Sequence, residues 1–304
     1  MMVKPAGVSV IIPTACRTER AAGIRRAIES VLTQENVDLE LIVVVNGPTY
    51  DRHLRDELEA NPALRVAYLP EPNLPAAIRH GRSMVTRPFF AFLDDDDEYL
   101  PGALETRAAE MLAHPRVDVV ATNGFWGPDK SPYIKHTDGV EVDPLKALLT
   151  GNWLGSCGGL FRSATVCQEY FDGRTRHYEW TMLAFRLALA GHWVRFLDVP
   201  TYIMNDSPES LSRSDAYVKA EPAFLNSLLG FDLEARYRRQ IRKKYLQSLH
   251  SLAVRALTAG RIGEAWGYHV RSLMGWKGFR YVVFTRHLVG PTLRRVAGRS
   301  DGDQ

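Results

Sequence analysis

"FFAFLDDDDEYLP", Phe89–Pro101, runs five apolar residues straight into four adjacent aspartates and a glutamate. The apolar run has the length and composition of a short strand covered on both faces. The carboxylates behind it repel one another whenever they are ionised together. Stability alone does not favour such crowding at a strand end, so the pattern asks for a cation there.

Outward from this stretch the chain alternates strand and helix signals. "VSVIIP" (Val8–Pro13) is a β-branched run, and Ile24, Ala27, Ile28, Val31 and Leu32 then recur at helical spacing, with Thr18 placed to cap. "LELIVVV" (Leu39–Val45) is too apolar to be half exposed and stops at Asn46-Gly47-Pro48, as a buried parallel strand does. A helix over Tyr50–Ala60, a strand over Arg65–Leu69 and a helix near Ala76–Val85 precede the aspartates. A helix over Gly102–His114, with Pro101 in its first turn, and a strand over Val117–Thr122 follow them. These β-α units predict an α/β fold with a doubly wound, mostly parallel sheet, whose ligands gather at the carboxyl ends of the strands. Pro13-Thr14, Asn46-Gly47 and Asp94–Asp97 all fall at such ends.

The middle of the chain is different. "NWLGSCGGLFRS" (Asn152–Ser163) is glycine-rich, which predicts a bend or a close backbone approach to a ligand. "HYEWTMLAFRLALAGHWVRFLDVP" (His177–Pro200) reads as a helix from Glu179 to Ala190, a stop at Gly191, and a strand. Beyond Ala216 the pattern is helical with a break at Gly260. The expected organisation is therefore a catalytic α/β domain over 1–215 and a basic helical extension over 216–304.

Composition is that of a soluble globular protein, with 45% hydrophobic and 24% charged residues in 304. Three cysteines, Cys16, Cys157 and Cys167, show neither disulfide nor zinc spacing, and Cys16 reads as a small buried hydrophobe. No run is long enough to span a membrane and "MMVKPAGVSV" lacks a signal-peptide core, so a cytoplasmic location is expected. The net charge of +3 hides an asymmetry: Ala235–Gln304 holds 15 Lys/Arg against 3 Asp/Glu, and the preceding 234 residues hold 23 against 32. Such a tail speaks of partners.

In an extended chain Asp94 and Asp96 project to one side and Asp95 to the other. Two hard oxygen donors at that spacing suit Mg2+ or Mn2+, especially beside a diphosphate. The competing reading is an acidic turn ahead of a helix, and for Glu98 that reading holds.

The ordered series "VSVIIPT…R", "SVLTQ", "ELIVVVNG" and "FFAFLDDDDEYLP" resembles the family 2 glycosyltransferases of GT-A fold over roughly residues 8–215. The resemblance implies an inverting single displacement from a nucleotide-diphosphate sugar, with the aspartates as the DXD motif. Asp94 and Asp96 match its two aspartates and Asp95 its variable place. Asp96 is then the first choice for metal contact, and Asp94 serves the metal, the ribose or the sugar. Pro13, Thr14 and Arg17 fall in the family's opening nucleotide loop, here without its usual aromatic residue. Asn46 stands where an aspartate often reads uracil, which leaves UDP, dTDP and GDP donors open. Arg79 lies near a family arginine that could pair with the diphosphate, or is simply solvated.

The family's Glu-Asp pair, with an arginine six residues after the aspartate, becomes Glu179, Trp180 and Arg186 here. Glu179 is the expected base that deprotonates the acceptor; its alternative is a carboxylate at the positive end of a helix. Trp153, Gly158, Gly159 and Trp180 are expected to line the acceptor site, with core packing an equal alternative for Trp153. In "MNDSPESLS" (Met204–Ser212), Asn205 or Asp206 stands where the family often has a histidine, and Asp206 reads as a metal ligand or a turn residue.

The resemblance also implies a role in cell-surface polysaccharide or glycoconjugate synthesis on a saccharide or lipid-linked acceptor. The basic stretch Arg236–Lys244 then reads as a contact to anionic lipid, a solvated face or a homodimer interface. It carries no nucleic-acid motif. Two other readings stand beside this one. Trp180 and Asn46 motivate a non-catalytic nucleotide- or carbohydrate-binding relative. A sugar-phosphate nucleotidyltransferase needs a glycine-rich basic loop that "PTACRTERAAG" does not supply.

Overall fold

The computed structural model describes residues 5–127, 129–171, 177–205, 214–274 and 278–300, and divides into compact units Met1–Ser210 and Leu211–Gln304. In the first unit β1 (Ala6–Thr14), α1 (Ala21–Leu32), β2 (Val37–Asn46), α2 (Arg52–Ala60), β3 (Leu64–Leu69), α3 (Leu74–Met84) and β4 (Phe89–Phe92) alternate regularly. Then come β5 (Glu98–Tyr99), α4 (Ala103–Ala113), β6 (Val119–Trp126), β7 (Ser131–Pro132), α5 (Pro144–Leu148), β8 (Gly159–Arg162), α6 (Glu179–Leu189) and β9 (Val194–Met204).

The described strands form one nine-stranded sheet in the order β3-β2-β1-β4-β8-β6-β9-β5, with β7 on β6. From β3 to β4 all pairs are parallel, β8 runs antiparallel to both β4 and β6, and β9 returns parallel to β6. The β-branched runs account for this. Val8, Val10, Ile11, Ile12 and Ile42–Val45 are all fully buried, which only a sheet covered on both faces provides. The chain winds from β1 outward through β2 to β3 and then returns to place β4 on the other flank of β1. The β1–β4 boundary is thus the point where the winding direction changes, the usual ligand crevice of such sheets.

Local signals differ in small ways from expectation. Thr18 does not cap α1; it opens a 3-10 turn, Thr18–Arg20, and its hydroxyl donates to Asp51, which itself caps α2. Pro101 is not in the first turn of α4, because Gly102 takes a left-handed φ of 73° as the N-cap between them.

The second unit contains α7 (Asp215–Leu228), α8 (Ala235–Thr258), α9 (Ile262–Leu273), a 3-10 segment Gly278–Phe284 and α10 (Thr285–Ser300). Gly260, at φ 72°, makes the turn between α8 and α9 that the sequence break announces. Tyr237, Ile241, Leu249, Leu252 and Ala256 bury one side of α8, while Arg236, Arg239, Arg242 and Lys243 stay exposed. Among the described residues no helix is long and apolar enough to cross a membrane.

Candidate active site

Three strand ends meet at the β1–β4 boundary because β1 pairs in parallel with both neighbours, setting Thr14 beside Val45 and Ile11 beside Phe92. Leu93 adds one more bond to Ile11, and the chain then turns, with the Asp97 amide donating to the Asp94 carbonyl at 3.1 Å. That turn ends the alternation expected of Asp94–Asp96, which requires an extended backbone. Asp95 and Asp96 instead share one partner. The Arg20 guanidinium lies 2.5 Å from Asp95 Oδ1 and 3.1 Å from Asp96 Oδ2.

Asp95 is buried and also accepts from Thr14 Oγ1 at 2.6 Å; Thr14 in turn accepts from the Cys16 amide at 2.9 Å. Burial raises the Asp95 pKa, and Arg20 and Thr14 work against that rise. Asp94 is half-buried, and burial followed by the Asp96 charge pushes its pKa up to about 7; a hydrogen bond from Ser156 opposes this. Asp97 is buried against the Asn205 amide at 2.8 Å and the Cys157 thiol at 3.2 Å, and burial, then Asp94 and Asp96, hold its pKa high. Carboxylates held this close, with one arginine to share, are the arrangement that a divalent cation relieves.

Among the described residues, one group has donor atoms within 4.8 Å of one another: Asp94, Asp97 and Cys157. Burial keeps the Cys157 thiol protonated, and a neutral thiol is a poor ligand for hard cations. Within that group the oxygens of Asp94 and Asp97 are the donors that suit Mg2+ or Mn2+, while Asp96 lies outside it with its Oδ2 on Arg20.

Asn46 sits at the rim of this site, but its Nδ2 donates to the Thr14 carbonyl at 3.0 Å, fastening β2 to the opening loop. Cys16 is fully buried at φ 51°, and burial pushes its thiol up to about 11, in keeping with a packing role. Arg17 is exposed and lies 3.8 Å from Glu19. Arg79 is exposed on α3 and its carbonyl accepts from Gln168.

On the far side, Glu179 opens α6 and its Oε1 accepts from the His177 amide at 2.9 Å. Its charge contributes to the elevated pKa of Asp94, so the two carboxylates share one electrostatic environment. Trp180 is half-buried with its ring 5.0 Å from Phe92, and with Pro75, Ile78, Phe171 and Glu179 it lines a small crevice.

Trp153, Gly158 and Gly159 answer to packing instead. Trp153 is fully buried, with its indole N–H on the Pro144 carbonyl, and offers no face for a sugar to stack on. A Cβ on Gly158 would lie 2.7 Å from the Thr122 carbonyl oxygen, and one on Gly159 2.6 Å from the Phe161 ring. The close approach that these glycines permit is thus to the protein's own chain. Asp206 lies outside the described residues.

Sequence reasoning missed two participants, Arg20 and Gly23, and named Asn205 without its role. Arg20 was hidden behind Arg17, since only the 3-10 turn shows which arginine faces the aspartates. Gly23 on α1 lets the aspartate turn settle on the helix, where a Cβ would be 3.0 Å from the Asp95 carbonyl oxygen. Asn205 ties β9 to the turn, donating to the Asp96 carbonyl at 2.9 Å and Glu98 at 3.0 Å.

Comparison with known proteins agrees with this fold. The structure resembles S. aureus TarS 1-349 in complex with UDP-GlcNAc (TM-score 0.67, 16% identity, 88% of this chain and 80% of that one). It also resembles S. aureus TarS 1-349 in complex with UDP (TM-score 0.56, 18% identity, 80% and 71%). No curated protein sequence matches the chain. The family model described as glycosyl transferase family 2 matches residues 9–171, more than half of the sequence. With its GT-A fold and that match, the chain belongs to glycosyl transferase family 2 and is a glycosyltransferase.

Proposed function

We propose that the enzyme moves a sugar from a nucleotide-diphosphate donor to an acceptor hydroxyl by a metal-dependent, inverting displacement. It would do so in the cytoplasm and in the synthesis of a surface polysaccharide or glycoconjugate. The reading rests on one observation: the carboxylates Asp94–Asp97 are crowded into one turn at the change of winding direction, with Arg20 shared by Asp95 and Asp96 and Glu179 among the charges that act on Asp94. The similar TarS structures hold UDP-GlcNAc and UDP, which favours a uridine donor.

Asp94 and Asp96 would hold the Mg2+ or Mn2+, with Asp97 behind them. A divalent ion there would offset the charge that develops on the departing diphosphate. Arg20 fixes Asp95 and Asp96 in place, and Thr14 and Asn46 shape the loop that borders the nucleotide. Glu179, at the start of α6, takes the acceptor proton. Trp180 borders the acceptor side of the crevice. Residues 1–215 carry the reaction and 216–304 a separate basic function.

Calorimetric titration of UDP, dTDP and GDP, each with and without Mn2+, tests this reading. Binding of one nucleotide only with metal, lost in Asp96→Asn, is expected. Metal-independent binding that Asp96→Asn leaves intact rejects the metal assignment. Metal-dependent binding without transfer to any acceptor favours the non-catalytic relative.

A further inference from the structure

The 3-10 segment Gly278–Phe284 and α10 are apolar on two opposite sides. The inward side is accounted for. Tyr281 stacks on His250 with ring centres 4.2 Å apart, Phe284 meets His250 and His269 at 5.0 and 5.4 Å, and Leu288 is buried with Ala256 and Ala265. On the outward side Phe279, Val282, Val283, Val289 and Leu293 are 72, 55, 56, 42 and 64% exposed. With Arg286 they recur at three- and four-residue spacing along one stripe. The end of α9, which packs against this segment, adds Val270 and Met274 at 50 and 73% exposure. Single exposed apolar residues need no explanation; a run of this kind marks an interaction surface.

Charge selects the occupant. Residues Ala265–Ser300 contain seven Lys/Arg and no Asp/Glu. Arg271, Arg280 and Arg286 are exposed beside the apolar stripe. A second copy docked on this face would bring two such cationic surfaces together. Nucleic acid would pair with the cations but leave the valines, leucine and phenylalanine in water. An anionic membrane surface takes both, headgroups meeting the arginines and the acyl boundary receiving the apolar side chains.

We propose that this outward face of Gly278–Phe284 and α10 docks the enzyme on an anionic lipid surface, without spanning it. The site differs from the basic stretch of α8, where the apolar residues Tyr237 and Ile241 are buried and the exposed residues are charged or polar.

Flotation of the purified full-length chain with phosphatidylcholine vesicles, and with vesicles also containing phosphatidylglycerol, tests the proposal. The chain is expected to float only with the anionic vesicles. Phe279→Ser combined with Val283→Ser should lower the bound fraction by about tenfold or more while circular dichroism and nucleotide binding stay unchanged. Arg280→Gln combined with Arg286→Gln should weaken binding by about tenfold or more. No flotation with either vesicle, or flotation that the serine pair leaves intact, overturns the proposal. So does flotation lost only when Arg239, Arg242 and Lys243 are reversed, which would move the contact to α8. A dimer in sedimentation velocity that the serine pair dissolves also overturns it, naming a second copy as occupant.

Discussion

The Arg20 guanidinium stands 2.5 Å from the buried carboxylate of Asp95, on a 3-10 turn between β1 and α1. It is the cation that the fold itself supplies to the aspartate cluster. Removing it leaves Asp95 buried without its counter-charge, the situation in which a broken ion pair costs most.

Arg20→Ala is therefore expected to destabilise the first unit by about 2 kcal/mol. Arg20→Ala with Asp95→Asn should recover part of that loss. A double-mutant cycle in urea reads the coupling. Additive losses would mean that the pair contributes nothing beyond its separate side chains.

Gly23→Ala tests how the turn is seated. Its new Cβ would meet the Asp95 carbonyl oxygen at 3.0 Å, so the turn must yield by a few tenths of an ångström. The expected result is a loss of Mn2+-dependent nucleotide affinity of about tenfold, with stability changed by about 1 kcal/mol or less. An unchanged titration would show that the turn adapts freely.

Glu179→Gln keeps the shape and the His177 contact but cannot accept a proton. Turnover should fall roughly 10²–10⁴-fold with donor affinity retained. Full activity in this variant would remove Glu179 from the base role.

The second unit should lose stability on acidification. Burial lowers the pKa values of His250 and His269, and each leaves a buried Nδ1 without a hydrogen-bond partner. A histidine whose folded pKa lies below its unfolded value contributes most above the unfolded value of about 6.5, and that contribution fades as pH falls below it. Melting followed through the NMR indole N–H signal of Trp266, on α9, should thus move to lower temperature between pH 7.5 and 5.5. Replacing His250 by Phe should flatten the dependence; an equally steep one would place its origin elsewhere.

Much of the fold was legible because buried parallel strands leave an unmistakable mark. Val10–Pro13, Leu41–Val45 and Phe89–Leu93 are apolar without alternation, and each stops at a turn residue or a charge. From those stops alone the three loops of the site could be named, together with the aspartates that end β4. What the sequence could not show was which side chains meet there. Alternation placed Asp94 with Asp96, yet a turn at 94–97 gives Asp96 to Arg20, which it shares with Asp95. Glycines at 158 and 159 signalled close approach without revealing that the neighbours are Thr122, Phe161 and Tyr202. Residue type and spacing determine strands, helices and the sign of charge at a strand end, since these depend on neighbours along the chain. The partner of each carboxylate, the burial that raises the pKa of Asp94, and the outward apolar stripe at Phe279–Leu293 depend on segments far apart in sequence, and only tertiary packing decided them.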